Sequence, residues 1–452
     1  MTEEQINDAM ASVTMTDMIR SVLSIQTADI KMVNLSEVMK QGLIEGAMKI
    51  RNIIATEAFS YYEDHEFEPT PEVIPLMRVV VEGYAASGGM KYHLMNKNLL
   101  IGKFELVERY GNKIATGVEL YKITPFELGN VHKWLEHRQA AKHRQHIKEL
   151  MVQCGCDTIE GFIRVTHCTS VNDTLWVKRE DEDITWERVS LYTNEFDEVI
   201  AKLAFEGMGI YGQEFSLTTP EFGTNGAYSK CITREYDGSL VMYKRGTDGF
   251  ANSGLEPYGE YLSSELYNII TDGRSVQYDL VKLHSKVASK CRIFTTEHLG
   301  LVPYSSLCDN PDLTALDYYN EYGSGDLFRA MIVADAVTFN ADRHAGNHGM
   351  LIDNDTFELT KMAPIYDNNL SLLPYAMKSD FEDIDKYLES QGPRIGGDWI
   401  RSAKSMLTPH LRSILINLKG YEFKYDGCEK FPKERVKKLE WLVNRQIDGI
   451  LK

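Results

Sequence analysis

Three polar residues in the C-terminal part of the chain have the types and spacing that phosphoryl transfer from ATP requires. Asp342 and Asn347 lie 5 positions apart in the stretch Asn-Ala-Asp-Arg-His-Ala-Gly-Asn, and Asp367 follows Asn347 by 20 positions. In enzymes that transfer the γ-phosphoryl group of ATP, one Asp accepts the proton of the attacking hydroxyl, and an Asn and a second Asp hold Mg²⁺ on the phosphates. The spacing therefore predicts Asp342 as the catalytic base and Asn347 and Asp367 as ligands of Mg²⁺.

A lysine and a glycine-containing turn precede this set in the chain. Lys244 ends the strand-like run Leu-Val-Met-Tyr-Lys, a position suited to the α- and β-phosphates of ATP. The turn around Gly223, Asn225 and Gly226 can bring backbone N–H groups close to phosphates, because glycine lets the chain approach closely. An ordinary hairpin turn and an exposed lysine at a strand end would look the same. The order of turn, lysine and acidic helix favours the phosphate-binding interpretation.

An acidic partner for Lys244 is expected on the helix that follows. Glu265, or alternatively Glu260, could pair with the lysine and orient it. We predict Glu265, although a solvated helix face would carry glutamates at both positions as well.

The elements that must position these residues follow from periodicity and turn signals. The dipeptide Asp237-Gly238 lies between two strand-like runs and predicts a hairpin. The other expected elements are a helix over 33–54, a hairpin over 99–120, a basic helix over 133–151, a helix over 258–270, strands over 277–284 and 290–295, and a buried helix over 327–339. Beyond about residue 310 we expect mostly helix, so a β-rich part precedes a helical one.

Composition limits the classes of partner and the compartment. The net charge of −17 argues against extensive binding to nucleic acid or to an anionic membrane, although it leaves room for a local basic patch. No apolar run approaches the roughly 18–20 residues of a membrane-spanning helix, and the N-terminus lacks the features of a secretory signal. Seven scattered cysteines fit reduced thiols better than a disulfide framework. We therefore expect a cytoplasmic protein with no direct nucleic-acid or membrane partner.

The motif Asn-x-Asp-Arg-His-x-x-Asn with the downstream Ala-Pro-Ile-Tyr-Asp resembles the HipA-like serine/threonine kinases of bacteria, a branch of the protein-kinase-like fold. The likeness extends from about Leu99 to the C-terminus and is strongest over Asp326–Leu373. About 90 residues at the N-terminus have no counterpart in this resemblance. Phosphoinositide kinases share Asp-Arg-His-x-x-Asn, but the surrounding sequence is closer to the HipA-like kinases.

The resemblance implies an ATP site, a regulatory modification and a partner. ATP would contact Thr224, Asn225, Gly226, Lys244 and Glu265, and the backbone near Arg292 and Phe294 would contact adenine. Thr224, and after it Ser229, would be the candidates for autophosphorylation. Some members are toxins that phosphorylate a protein and are restrained by a helix-turn-helix antitoxin, which makes such a partner an expectation here.

Together these features predict an α+β, bilobal protein-kinase-like fold with an N-terminal helical extension. The expected domains are the extension (1–92), a β-rich N-lobe with the ATP-binding strands (93–296) and a helical C-lobe with the catalytic loop (297–452). The expected activity is that of an ATP- and Mg²⁺-dependent serine/threonine protein kinase. The alternatives are a small-molecule or phosphoinositide kinase on the same fold, and a nucleotide-binding interaction protein without catalysis.

Overall fold

The computed structural model describes residues 89–109, 112–122, 130–140, 147–207, 218–224, 228–248, 252–307 and 314–452. The predicted helix over 33–54 and nearly all of the predicted extension lie outside these ranges. The chain divides into two units, residues 1–92 with 104–118, and residues 93–103 with 119–452. In the first unit the described residues belong to strands, apart from Gly89. In the second unit lie all the predicted site residues that the structure describes.

The elements that come before the Lys244 hairpin include the predicted hairpin over 99–120. Its two strands are present with a further strand before them, while the predicted basic helix over 133–151 is broken. Gln139 is extended, and the N–H of Ala140 donates to the carbonyl of Phe222. The elements are β1 (Met90–Asn96), β2 (Leu99–Arg109), β3 (Asn112–Leu120), α1 (Val131–Arg138), α2 (Ile147–Gln153), α3 (Ile159–Thr166), β4 (Leu175–Arg179), α4 (Trp186–Val189) and α5 (Glu198–Glu206).

The sheet that carries Lys244 starts with the predicted hairpin. Gly238 has a φ of 82°, a conformation that suits glycine, and Asp237 accepts hydrogen bonds from the Ser239 backbone and hydroxyl. The strands are antiparallel and lie in the order β5-β6-β8-β7. Their bounds are β5 (Lys230–Arg234), β6 (Leu240–Arg245), β7 (Asp279–Leu283) and β8 (Lys286–Arg292).

A helix between β6 and β7 packs beside this sheet. Helix α6 (Glu256–Ile270) has Pro257 in its first turn, and buried apolar side chains recur every four positions, at Tyr258, Leu262, Leu266 and Ile270. Gly259 permits a close approach, because a Cβ there would lie 2.5 Å from the carbonyl oxygen of Ser371. The helix is thereby held against the segment that follows Asp367.

The remaining chain is mostly helical, as expected, with one three-stranded sheet. Helix α8 is buried along most of its length and forms the centre of the largest apolar core. The antiparallel sheet has the order β11-β10-β9. The elements are β9 (Leu299–Pro303), α7 (Ala315–Glu321), α8 (Gly325–Thr338), β10 (Gly349–Asp353), β11 (Leu359–Met362), α9 (Ile384–Glu389), α10 (Trp399–Met406), α11 (Pro409–Asn417) and α12 (Lys433–Leu451).

The observed architecture is a mixed α/β fold in which antiparallel sheets precede and flank a large helical part. This agrees with the predicted α+β class. In the part of the chain that the structure describes, no helix is both long and apolar enough to cross a membrane.

Candidate active site

The end of helix α8 presents the loop that carries Asp342 and Asn347. Phe339 ends the helix with a left-handed φ of 57°. The side-chain amide of Asn340 then donates to Asp335 Oδ1 at 3.0 Å, while its oxygen accepts the N–H of Asp342 at 3.1 Å. A buried helix end and a buried amide thus fix where the loop starts.

Arg343 joins this loop to the segment that carries Asp367. Its Nη1 donates to the carbonyl oxygens of Asn347 at 2.8 Å and of Tyr366 at 2.7 Å. Its Nη2 donates to Asn368 Oδ1 at 2.5 Å and to Asp335 Oδ1 at 3.0 Å. One guanidinium therefore sets the spacing between the two predicted magnesium ligands.

The charge of Arg343 is stabilised by a buried partner. The side chain is fully buried, which opposes ionisation, but the carboxylate of Asp335 and the ring of Tyr267 outweigh burial and raise the pKa of Arg343 above its ordinary value. The hydroxyl of Tyr267 also donates to Asp335 Oδ1. Arg343 and Asp335 therefore form a buried ion pair. Both side chains also make hydrogen bonds to other groups, which burial of a charge requires.

Asn347 is oriented by the backbone of the predicted base. Its side-chain Nδ2 donates to the carbonyl oxygen of Asp342 at 2.8 Å. Because the nitrogen is used in this way, the amide oxygen is the atom left to face a cation. The carboxylate of Asp342 is partly exposed and forms an ion pair with Arg394, with 3.0 Å between Nε and Oδ1.

Asp367 lies at the end of the strand-like segment after β11 and contacts Lys244. Its Oδ1 is 2.9 Å from Lys244 Nζ, and its backbone N–H donates to the hydroxyl oxygen of Tyr278. The residue has a φ of 57°, a conformation that aspartate adopts more readily than most residues. Burial raises the pKa of Asp367, but the ammonium groups of Lys244 and Lys230 outweigh burial and lower the pKa to about 2. The carboxylate is therefore ionised at neutral pH and available as a metal ligand.

Lys244 has Glu260 as its partner, and the prediction of Glu265 is wrong for this contact. Nζ lies 2.8 Å from Glu260 Oε1, and Ser289 donates to the other oxygen of that carboxylate at 2.5 Å. Glu265 instead contacts Lys424 and the hydroxyl of Tyr421, each at 3.0 Å. Five positions separate the two glutamates, which places them about 140° apart around a helix of 3.6 residues per turn.

The buried cluster keeps Lys244 charged. Burial lowers its pKa, but Asp367 and Glu260 together hold the pKa well above its ordinary value. Lys230 lies directly opposite Lys244 in the pairing of β5 with β6, and it too is buried. The end of this hairpin therefore places two ammonium groups near Asp367, and such groups can bind the phosphates of a nucleotide.

Glu260→Gln is expected to weaken use of ATP, because it removes the charge that orients Lys244. We expect kcat/KM for ATP to fall about 10- to 100-fold, the equivalent of the roughly 1.5–3 kcal/mol of a hydrogen bond to a charged group. Steady-state kinetics of phosphoryl transfer measures this. Glu265→Gln, on the same helix, is the matched control and is expected to leave kcat/KM unchanged. Equal losses in the two variants would contradict the role of Glu260.

The predicted nucleotide-contacting turn is only partly described. Asn225 and Gly226 lie outside the described residues. The hydroxyl of Thr224 donates to the carbonyl oxygen of Pro220 at 2.5 Å, and both Thr224 and Ser229 are buried. Phosphorylation of either hydroxyl would therefore require this segment to open.

The predicted adenine-contacting segment follows strand β8. The Arg292 side chain is exposed and paired with Asp237, while the rings of Phe294 and Tyr366 lie 5.8 Å apart. A cleft of about 680 Å³ runs along this strand and is lined by Arg292 and Phe294. Its lining does not include Lys244 or Asp367. Phe294 thus connects the cleft to Tyr366, the residue next to Asp367.

Two histidines beside the loop are poor candidates for the base. Nδ1 of His344 accepts the N–H of Gly346 at 3.0 Å, so the ring holds the turn. Burial, together with the charges of Arg343 and His344, lowers the pKa of His348 to about 3. His348 also shares a hydrogen bond with the hydroxyl of Tyr319 at 2.8 Å. It is therefore neutral and structural.

The described residues contain no cluster of three or more His, Cys, Asp or Glu groups that could enclose a metal ion. Mg²⁺ commonly binds through one or two protein oxygens, substrate phosphates and water. The oxygens of Asn347 and Asp367 are the hard donors that this ion prefers. The residues present therefore fit magnesium held together with a nucleotide.

Sequence reasoning missed the residues that hydrogen-bond to the site side chains and orient them. Asp335 accepts a hydrogen bond from Arg343. Tyr278 accepts one from the backbone N–H of Asp367, and Ser289 donates one to Glu260. One signal was available for Asp335, since an aspartate in the middle of an apolar helix needs a buried partner. Nothing in the sequence marked Tyr278 or Ser289.

With this geometry established, the chain can be compared with known proteins. It is 28% identical over 184 residues to the serine/threonine-protein kinase CtkA of Helicobacter pylori strain J99, an alignment that covers 36% of this chain and 56% of CtkA. The name of this relative agrees with the phosphotransferase class that the sequence motif predicts. The chain spans a little more than half the length of that curated relative. No protein-family model matches the chain.

Two solved structures are also similar. The crystal structure of the H. pylori proinflammatory kinase CtkA matches with a TM-score of 0.38 and 19% identity, over 52% of this chain and 93% of that chain. A chain from the complex of HipA, HipB and operator DNA of Shewanella oneidensis MR-1 matches with a TM-score of 0.44 and 9% identity, over 80% of this chain and 99% of that chain.

Proposed function

We propose that this protein is an ATP- and Mg²⁺-dependent serine/threonine protein kinase of HipA type. The observation that carries the proposal is the single buried network around Arg343, which holds the loop of Asp342 and Asn347 against the segment of Asp367. Lys244 and Glu260 extend the network from the sheet. Similarity to a named serine/threonine-protein kinase supports the same reaction class.

Each residue has a role that its position allows. Asp342 accepts the proton of the acceptor hydroxyl as the hydroxyl oxygen attacks the γ-phosphorus, and the bond to the β-phosphate oxygen breaks to release ADP. Lys244, oriented by Glu260, binds the α- and β-phosphates. Asn347 and Asp367 hold Mg²⁺, which when bound neutralises phosphate charge. The backbone near Arg292 and Phe294 is proposed to contact adenine.

Two parts of the chain are proposed to have different roles. Residues 93–296 are proposed as the nucleotide-binding lobe and residues 297–452 as the lobe with the catalytic loop. Autophosphorylation at Thr224 or Ser229 and restraint by a helix-turn-helix antitoxin are proposed from the family resemblance. HipA itself was solved with HipB and operator DNA.

Transfer of label from [γ-³²P]ATP tests the reaction class. The full chain is expected to label a protein, or itself, on serine or threonine in the presence of MgCl₂, and to lose labelling with excess EDTA. The acceptor panel contains mixed proteins, sugars and phosphoinositide vesicles, assayed side by side. Asp367→Ala is expected to lower the rate by at least about 100-fold, because the metal ligand and the partner of Lys244 both disappear.

Other results would contradict the proposal in distinct ways. Label on a sugar or lipid alone would favour a small-molecule or phosphoinositide kinase. Tight ATP binding with no transfer to any acceptor would favour a nucleotide-binding interaction protein. Unchanged labelling in both Asp367→Ala and Asp342→Ala would show that this site is not the catalytic one.

A further inference from the structure

An arginine from a distant segment contacts the predicted catalytic base. Nε of Arg394 lies 3.0 Å from Oδ1 of Asp342. The arginine side chain is 60% exposed and that of Asp342 is 22% exposed. The ion pair therefore lies at the surface of the site, where an acceptor hydroxyl would have to approach.

The residues on both sides of Arg394 face the helical core. Pro393 and Ile395 line a small gap of about 10 Å³ together with Trp399 at the start of α10 and Asp335 of helix α8. Ile395 also packs against the large apolar core. Pro393 and Ile395 are both half-buried on this side, and Arg394 lies between them, beside the loop.

Other cations around the described loop are already engaged. Lys244 is paired with Glu260 and Asp367. Arg343 is fully buried, and its donors are used within the protein. Arg394 differs from both because its Nε lies beside Asp342 while its side chain as a whole is 60% exposed.

We propose that Arg394 is a further catalytic residue of this site, an inference that rests on the proposed kinase function. Its Nε orients the carboxylate of Asp342, and its Nη1 and Nη2 donate to the phosphoryl oxygens as the group moves from ADP to the acceptor oxygen. The hydroxyl proton goes to Asp342, and Arg394 keeps its own protons throughout. A planar guanidinium with several donors suits this task, because it can bind a carboxylate and a phosphoryl group at once.

The contact between Arg394 and Asp342 could instead be inhibitory, with Arg394 acting as a plug that blocks the site. In that case the guanidinium occupies the place of the acceptor hydroxyl and suppresses the reaction until a substrate displaces it. The two interpretations predict opposite effects of removing the side chain, since loss of a catalytic cation lowers kcat and loss of a plug raises it.

The test compares Arg394→Ala, Arg394→Lys and the wild type in the full chain, with Mg²⁺ and ATP and the best acceptor from the labelling panel. For Arg394→Ala we expect kcat to fall about 100-fold with little change in KM for ATP, the size of effect seen when one donor to a transition state is lost. Arg394→Lys should retain part of the rate. Free guanidinium chloride at non-denaturing concentrations should partly restore Arg394→Ala, and should not restore Asp342→Ala.

Arg401→Ala provides the matched control, because Arg401 is an exposed arginine on nearby helix α10. It is expected to keep the wild-type rate. An unchanged or raised kcat in Arg394→Ala would overturn the proposal, and so would a fall that guanidinium does not restore. A wild type that transfers phosphate to no acceptor contradicts the kinase proposal itself and this inference with it. A wild type that is active with a fully active Arg394→Ala contradicts only this inference.

Discussion

Asp342→Asn is expected to lower the rate of phosphoryl transfer by about 10²–10⁴-fold, the contribution typical of a positioned general base. Asparagine keeps the shape of the side chain and an oxygen beside Arg394, but it cannot take a proton from the acceptor hydroxyl. The loss should appear in kcat. Nucleotide affinity, measured with a non-hydrolysable ATP analogue, should change little. The groups proposed to hold the phosphates are Lys244 directly and, through Mg²⁺, Asn347 and Asp367, and this substitution leaves all three in place.

A second aspartate in the same part of the chain controls for the loss of a carboxylate. Asp355 lies in the turn between β10 and β11, where it pairs with Lys97 and His298 at the surface. Asp355→Asn removes an exposed pair of small energetic value and is expected to leave kcat unchanged. If Asp342→Asn lowers the rate by less than about tenfold, the loss is smaller than the contribution of a general base. Asp342 would then not be the base.

Arg343→Met is expected to destabilise the folded protein by about 3–5 kcal/mol, because it leaves the buried carboxylate of Asp335 without its cation. The guanidinium contacts Asp335 and also the carbonyl oxygens of Asn347 and Tyr366. Its loss therefore separates the two halves of the site as well as leaving a charge unpaired. Denaturant unfolding, followed together with the phosphoryl-transfer rate, measures both effects.

Two variants test the physical reason for this loss. In the double variant Asp335→Asn with Arg343→Met, no carboxylate remains unpaired, so a substantial part of the stability should return. Arg445→Met removes a surface arginine that pairs with Asp385 at 2.7 Å, and it should cost no more than about 1 kcal/mol. A loss in Arg343→Met as small as that of the surface variant would show that the buried pair is not what stabilises the loop.

Local sequence patterns were sufficient for several elements of the fold. The Asp237-Gly238 turn fixed the β5–β6 hairpin, and the four-residue recurrence of apolar residues located helix α6. The apolar run before Asn340 formed the buried helix α8, which ends at Phe339. These signals depend on backbone preference and on side-chain period, and both are properties of short segments.

The basic segment after Lys133 shows where local pattern failed. Its charges are compatible with one helix, but α1 ends at Arg138 and the backbone of Gln139 is extended. Arg138 donates to both oxygens of Asp173 and to the carbonyl oxygen of Cys168. A basic residue of the predicted helix is therefore half of a buried ion pair, with partners 30 and 35 positions away.

The sequence by itself determined which chemical groups are available, and it placed Asp342 and Asn347 in one loop, because their spacing is short enough for local backbone geometry to bring them together. Only the tertiary structure decided that Lys244 meets Glu260 instead of Glu265, that Asp367 lies against Lys244 across 123 positions, and that Arg394 reaches Asp342. Periodicity tells which residues share a face of a helix. It does not tell which face packs against which neighbour, because that choice depends on how the whole core is filled.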